Sequence, residues 1–402
     1  METSVRIQTP SLFQGRTVEP FSNTLNLLAE NMLASMDLQR KDRLWPADPI
    51  IFQTNPMNLA YGVCGTAIFL FDQLGELPNE VRQWMLDQPI DVNVYPPGLY
   101  SGIAGVAWSF AEMGMIDYGK KLFRLVLESP LAFQSFNIFG GAAGWGLAAL
   151  ALYQRTGEDE FLGYACRAGD YLLKTSEQDE NGTFWREEDG IRLGFALGGS
   201  GVALFLLYLW QATGDAKYLV PARQAMDYEV AHGQAIDDAI VWGVSPGGLD
   251  HRPYWLRGGA GVVASLIRFY QVLKEERYLQ LARKGAKGCA AFFSVGPHLF
   301  EGLASMGESL LDMFLVTGDT SYFELAQQKA AQILLYRIVR PQGIAFPGRF
   351  LLRISHDYGM GGAGIGMYLS RLMGLKPRRF HDLGVSAANA KAAYATAYAS
   401  LP

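Results

Sequence analysis

Three histidines stand out as possible proton carriers: His251 follows Asp250, His298 lies three residues before Glu301, and His356 precedes Asp357. An imidazole or carboxyl in such a setting can carry a proton near neutral pH. Arg252 and Arg257 could hold a developing anion, and the phenols of Tyr100, Tyr254 and Tyr358 could donate to one. The chemistry these groups share is proton transfer combined with stabilisation of negative charge. Each also has a structural reading: a salt bridge between neighbouring segments for the arginines, a hydrogen-bonded loop position for the histidines, the lining of a cavity for the tyrosines. Whether the fold brings them together decides between the two.

One short pattern organises the elements that must position them: Gly-x-x-Gly followed by an apolar helix. It appears seven times, beginning at Gly62, Gly102, Gly141, Gly198, Gly258, Gly302 and Gly361, with the second glycine of the sixth copy replaced by Ser305. Successive copies lie about 40 to 60 residues apart, room for two helices and their loops. The segment behind each motif is apolar around most of its circumference, Val202 to Trp210 most plainly, which marks an inner helix. Thr156-Gly157-Glu158, Thr213-Gly214-Asp215 and Thr317-Gly318-Asp319 predict a left-handed helix end followed directly by the start of the next helix. Phe161, Tyr218, Tyr278 and Tyr322, each with an alanine four residues on, mark the buried face of a second, outer helix.

One such hairpin cannot cover its own apolar face, whereas seven closed into a double-layered ring can. The expected fold is all-α, an (α/α)7 toroid over residues 23–375, with a flexible lead-in at 1–22, a first helix capped near Ser22, and an alanine-rich tail at 376–402. The inner helices would then aim their N-terminal ends at one axial cavity and gather backbone donors and positive dipole ends there.

Half of the 402 residues are hydrophobic, enough for a large core, while the charged fraction is 18% and the net charge −5. No run of Lys or Arg is dense enough to follow a phosphate backbone, so nucleic acid is not an expected partner. Glu2, Arg6, Arg16 and Glu19 interrupt the first twenty residues, which excludes a signal peptide, and Val202 to Trp210 is too short to cross a bilayer. A cytoplasmic protein without a membrane partner is expected. Cys64, Cys166 and Cys289 are far apart with no C-x-x-C pair, so they signal neither a disulfide framework nor a zinc knuckle.

Seven glycine-led hairpins in this register resemble the lanthionine synthetase C-like cyclase family, from about Asn23 to Leu375. Segments from Pro96 to Gly102, Phe139 to Gly146, Tyr254 to Gly261, Gly302 to Met313 and Asp357 to Gly364 resemble the cyclase portion of the fused lyase-kinase-cyclase enzymes called class III. The resemblance implies that a cysteine thiol of a precursor peptide adds to a dehydroalanine or dehydrobutyrine of the same peptide, closing a thioether ring. The implied substrate is a dehydrated ribosomal precursor peptide, and the implied partners are separate kinase and lyase proteins that dehydrate it.

Zinc-using members bind the metal through a cysteine two residues before the fifth-repeat glycine and a Cys-His pair just before the sixth. Leu256, Phe300 and Glu301 stand at those positions here, and a zinc ion needs thiolate or imidazole donors in tetrahedral array. The class III branch dispenses with zinc, so no metal or other cofactor is expected. The histidine that precedes the fourth-repeat glycine in relatives is Leu197, the acid four residues before the third is Asn137, and the arginine ahead of the fifth remains as Arg252. The expected catalytic set is Arg252, Arg257, Glu301, His298, His356, Asp357, His251 and Tyr254, with Tyr100, Asn137, Trp255 and Tyr358 as substrate contacts. Two other readings compete. One is a noncatalytic ring that binds the precursor and scaffolds its kinase and lyase; the other is a carbohydrate-active helical toroid, which needs two facing carboxylates, Glu301 and Asp357 being the obvious pair.

Overall fold

The structure, a computed structural model, describes residues 21–383. Its α-helices are α1 (Phe21–Ala34), α2 (Val63–Leu74), α3 (Asn79–Leu86), α4 (Ile103–Glu112), α5 (Ile116–Arg124), α6 (Ala142–Thr156), α7 (Asp159–Thr175), α8 (Gly199–Thr213), α9 (Ala216–Ala231), α10 (Gly259–Leu273), α11 (Glu276–Cys289), α12 (Leu303–Thr317), α13 (Thr320–Leu334) and α14 (Gly362–Gly374). Even-numbered helices form the inner layer and odd-numbered ones the outer. Each inner helix packs on the next, and α14 returns to α2, so the ring closes. The outer helix of the seventh pair comes from the start of the described chain: α1 lies against α14. Because α1 begins at Phe21, Phe21 and Ser22 of the expected lead-in are helical, and Ser22 sits in the first turn instead of capping it.

The helix ends follow the sequence reading. Gly157, Gly214 and Gly318 close α6, α8 and α12 at φ between 70° and 72°. Asp215 and Asp319 then cap α9 and α13, accepting from Lys217 N–H and Ser321 N–H at 3.0 Å. Small antiparallel hairpins follow three outer helices: β1 (Glu177–Asp179) with β2 (Gly182–Phe184), β3 (Gln234–Ile236) with β4 (Ala239–Val241), and β5 (Ile338–Arg340) with β6 (Gly343–Ala345). Three outer helices are also pinned by an indole. Trp45, Trp185 and Trp242 each donate Nε1–H to a carbonyl thirteen residues earlier, of Met32, Leu172 and Glu229.

The glycine motifs meet at the axis through the backbone. The residue two positions before each first glycine donates its N–H to the carbonyl of its counterpart in the next repeat: Ala60 to Tyr100, Tyr100 to Phe139, Phe139 to Ala196, Ala196 to Leu256, Leu256 to Phe300, Phe300 to Gly359, and Gly359 back to Ala60, at 2.8 to 3.3 Å. This closed circuit explains the motif. The loop folds back over its own helix, so that a Cβ on the second glycine would lie 1.7 Å from the Leu99 carbonyl oxygen at Gly105 and 1.9 Å from that of Tyr358 at Gly364. At the same position in the sixth repeat, the Ser305 hydroxyl accepts from Trp255 N–H at 2.5 Å. Gly258 carries a further demand, φ 111°, that only glycine meets without strain.

The segment assigned to the tail starts inside the ring. Residues 376–383 pass among the inner helices, with Arg378 and His381 buried, while 384–402 lie outside the described residues. A chain segment carrying this much charge can enter a core only with partners. Arg268 and Arg371 on the inner helices, Arg378, and the carboxylates of Glu308, Asp312 and Asp382 supply them.

Candidate functional site

An aromatic layer fills the axis at the level of the backbone circuit. Tyr100, Phe139 and Phe300 project from it, and Tyr61, Trp255 and Tyr358 join them from adjacent register positions, with ring centroids 4.9 to 6.4 Å apart. Three of the expected substrate contacts, Tyr100, Trp255 and Tyr358, are therefore neighbours. Burial pushes the Tyr358 phenol up to about 12 and Tyr100 well above its ordinary range, so both remain protonated donors.

Glu301 lies beside this layer, one residue before Gly302. Its Oε1 is 3.8 Å from Arg252 Nη1 and its Oε2 is 3.8 Å from Arg349 Nη1, both beyond hydrogen-bond length. Arg349 is fixed by Asp48, whose buried carboxylate accepts from its Nε at 2.7 Å. Arg257 holds the equivalent position in the fifth repeat, one residue before Gly258. Its side chain has no hydrogen bond or ion pair among the described residues, and its Nε is buried without a partner. The Arg252 side chain is 40% exposed and that of Glu301 14%, so the cluster is reachable from solvent. The arrangement is a carboxylate able to exchange a proton, with cationic groups around it to hold an anion.

The other expected residues are used differently. Asp357 is four residues before Gly361; its Oδ1 accepts from Met360 N–H at 2.7 Å, and its Oδ2 accepts from Asp48 N–H at 2.9 Å and from the Ser355 hydroxyl. Asn137 holds the same register and accepts from Gly140 N–H at 2.9 Å, as Asn58 does from Tyr61 N–H at 2.7 Å. These residues brace their loops, and with Asp357's oxygens occupied the Glu301 and Asp357 pair does not present two free carboxylates. His298 occupies that register too, buried, with Nε2 3.3 Å from the Pro347 carbonyl and Nδ1 unpartnered. Tyr254 accepts from Val295 N–H at 3.0 Å, and His251 bonds Gln234 at 2.8 Å in an exposed position.

The inner helix starts do not offer free donors, contrary to the sequence expectation. In six repeats the first helical amide bonds a loop carbonyl seven residues back, as Ile103 does to Pro96 and Leu303 to Gly296, both at 2.9 Å. At α8 the buried Glu229 carboxylate takes Ser200 N–H at 2.9 Å and Gly194 N–H at 3.1 Å. Tight looping over the glycines, which brings the motifs to the axis, is what occupies their amides.

His356 is buried with Nδ1 unpartnered, and burial lowers its pKa to about 4. Its neutral form is the one the fold accepts, so its contribution to stability is complete above about pH 6.5 and is withdrawn as pH falls toward 4. That span corresponds to roughly 3 kcal/mol. Between pH 7 and pH 4, His356→Gln is expected to gain about that much relative to the parent in urea denaturation, the crossing of the two curves being the measurement.

Sequence reasoning missed Arg349 and Asp48. Asp48 carried a signal, an acid followed by Pro49 at the start of a short helical turn, where it accepts from Ile50 N–H at 3.0 Å. Arg349 carried none, because it lies in an irregular loop outside the repeat register.

Among the described residues no group of three His, Cys, Asp or Glu converges. Leu256 and Phe300 turn apolar side chains into the core, and burial raises the Cys64 and Cys289 thiols to about 12 and 11. A zinc ion does not fit these residues. Among the described residues no helix is long and apolar enough to cross a membrane.

Residues 53–383 match the family described as lanthionine synthetase C-like protein. The chain belongs to that family. A curated relative of this chain is the probable SapB synthase of Streptomyces coelicolor, 27% identical over 361 residues, covering 87% of this chain and 38% of that protein. The chain thus spans about two fifths of the length of the curated relative it matches. Among solved structures, nisin cyclase superposes with a TM-score of 0.61 at 12% identity, covering 82% of this chain and 92% of its own. Lin0763 of Listeria innocua follows at a TM-score of 0.56 and 13% identity, covering 89% and 97%. At those identities the structural likeness establishes the ring fold of the family.

Proposed function

We propose that this lanthionine synthetase C-like chain closes thioether rings in a dehydrated precursor peptide without a metal, in the manner of the class III branch, with the Glu301 cluster as its reacting centre. The observation that carries the reading is the Glu301 carboxylate, set between Arg252 and Arg349 at 3.8 Å from each and hydrogen-bonded to neither. In this mechanism the cysteine S–H gives its proton to Glu301 as sulfur adds to the β-carbon of the dehydro residue. The electron pair moves onto the amide oxygen, where Arg252, Arg257 and Arg349 offset the charge. The proton then returns to the α-carbon. One S–H bond is exchanged for a C–S and a C–H bond, and the alkene is consumed. A free cysteine with a pKa of about 8.5 is a few per cent thiolate at neutral pH, and nearby guanidiniums raise that fraction. Confinement of both reactants beside the aromatic layer lowers the barrier further. Phosphorylation and elimination at Ser or Thr, the steps that make the dehydro residue, belong to partner kinase and lyase activities.

The test is to incubate the protein with a dehydrated, cysteine-containing precursor and follow free thiol and ring pattern by tandem mass spectrometry. Thiol is expected to disappear faster than in buffer, and Glu301→Gln is expected to slow closure roughly 100-fold with KM little changed. Equal rates with and without protein would sink the reading. A second reading, a ring that binds the precursor without reacting, is favoured by the flanking of Glu301 on both sides by guanidiniums, as in a structural ion pair. Tight binding without acceleration would select it.

A further inference from the structure

A pocket of about 480 Å³ opens between segment 47–53 and the loop 348–353. Its walls are mostly apolar, with Ala47, Pro49 and Ile50 on one side and Phe350, Leu352 and Ile354 on the other. Asp48 and Arg349 also line it; Arg349 is the second guanidinium beside Glu301, and Asp48 holds it in place. The pocket therefore shares Arg349 with the Glu301 cluster. Its first wall is rigid: Asp48 caps the turn at 49–53, receives Arg349, and donates its own N–H to Asp357.

The second wall is unusual. Phe350 and Leu351 are consecutive non-glycine residues at φ 55° and 60°, a conformation that bulky side chains rarely adopt. The loop is clamped at its base by the Pro347 and Ile354 bridge and by Gly348 N–H donating to the Arg353 carbonyl at 2.6 Å. The result is that Phe350 and Leu352 stand 76% and 79% exposed at the pocket's edge. Strain that delivers apolar side chains to water beside a reactive group points to a ligand that covers them.

We propose that this pocket seats an apolar side chain of the peptide substrate, next to the residue that reacts at Glu301. The proposal rests on the ring-closing reading for the identity of the peptide. The concavity is on the scale of small-ligand sites, too small for a folded partner, and its apolar lining beside the Arg349 it shares with Glu301 makes an apolar side chain of the reacting peptide its occupant. Its neighbour in the peptide would then reach Arg349 and Glu301. The pocket thus selects the residue flanking the reacting one.

The probes are fluorophore-labelled pentapeptides with dehydroalanine at the centre, alanine where cysteine would stand, and either leucine or serine beside the dehydroalanine. Anisotropy titrations should show the leucine peptide binding the parent about tenfold tighter than the serine peptide, and Phe350→Ser or Leu352→Ser should erase that ratio. Both positions are exposed, and circular dichroism confirms that the variants fold. A ratio unchanged in both variants, or no binding of either peptide, overturns the pocket. Ring closure on the cysteine-containing counterpart is scored separately. Acceleration without a leucine preference removes the pocket and leaves the cyclase, whereas a preference erased by the variants without acceleration removes the cyclase and leaves the pocket.

Discussion

Replacing Asp312 with alanine is expected to destabilise the protein by about 3–5 kcal/mol or to unfold it. Asp312 is 2% exposed, and its carboxylate faces Arg268 at 2.5 Å, Arg371 at 2.6 Å and Arg378 at 3.2 Å. Burial works against the charged form, but the three guanidiniums outweigh it and hold the carboxyl well below its ordinary range. Removing it leaves three buried cations sharing Glu308 and Asp382, and an uncompensated interior charge is far costlier than a missing pair. Arg378 belongs to the segment that enters the ring, so the same variant should release that segment. Trypsin, which meets Arg378 and Arg379 buried or half-buried in the parent, is expected to cut there at once in the variant. A urea midpoint within 1 kcal/mol of the parent, with no new cleavage, would show that the network is not formed.

Gly105→Ala is the second large effect. The added Cβ would lie 1.7 Å from the Leu99 carbonyl oxygen, and that carbonyl cannot retreat without moving Tyr100, which donates to Phe139 and accepts from Ala60 in the axial circuit. Overpacking of a core typically costs 1–3 kcal/mol, and a contact with fixed backbone belongs at or above the top of that range. Gly163 on α7 supplies the contrast, since a Cβ there meets nothing within 4 Å. Gly163→Ala is expected to stabilise by roughly 0.5–1 kcal/mol through helix propensity alone. Denaturation of the two variants side by side separates the meaning of the two glycines.

The glycine register was legible because its cause is local: each copy crowds a loop onto its own helix, and that demand falls on the same positions in all copies but the sixth, where Ser305 replaces the second glycine. The outer helices were legible from their aromatic and alanine spacing, and Tyr218, Ala222, Tyr278 and Ala282 are all buried as that spacing requires. The polar residue four positions before the glycine was visible too, at Asn137, His298 and Asp357, but was read as chemistry. Asn137 and Asp357 accept amides of their own loops and brace them, whereas the buried His298 turns its Nε2 to the Pro347 carbonyl. The ion-pair network was not legible, since Arg268 meets Asp312 and Asp382 across 44 and 114 residues with no pattern linking them. Nor was the segment at 376–383, whose charge reads as solvated until the acids that receive it are seen. Of the candidate site, Glu301, Arg252 and Arg257 emerged from the sequence, and Arg349 only from the fold.

The circuit of seven amides has a consequence for how such a protein can change. An open solenoid can gain or lose a unit at either end and remain a solenoid. Here Ala60 receives the N–H of Gly359, almost three hundred residues later, so there is no end at which to add. An eighth unit would need every angle around the circle to be redrawn, and a missing one would leave an unmatched donor and acceptor in the dry centre. Variation is therefore steered into the loops and outer connections, where hairpins such as β5 with β6 and the strained turn after them can alter without disturbing the count.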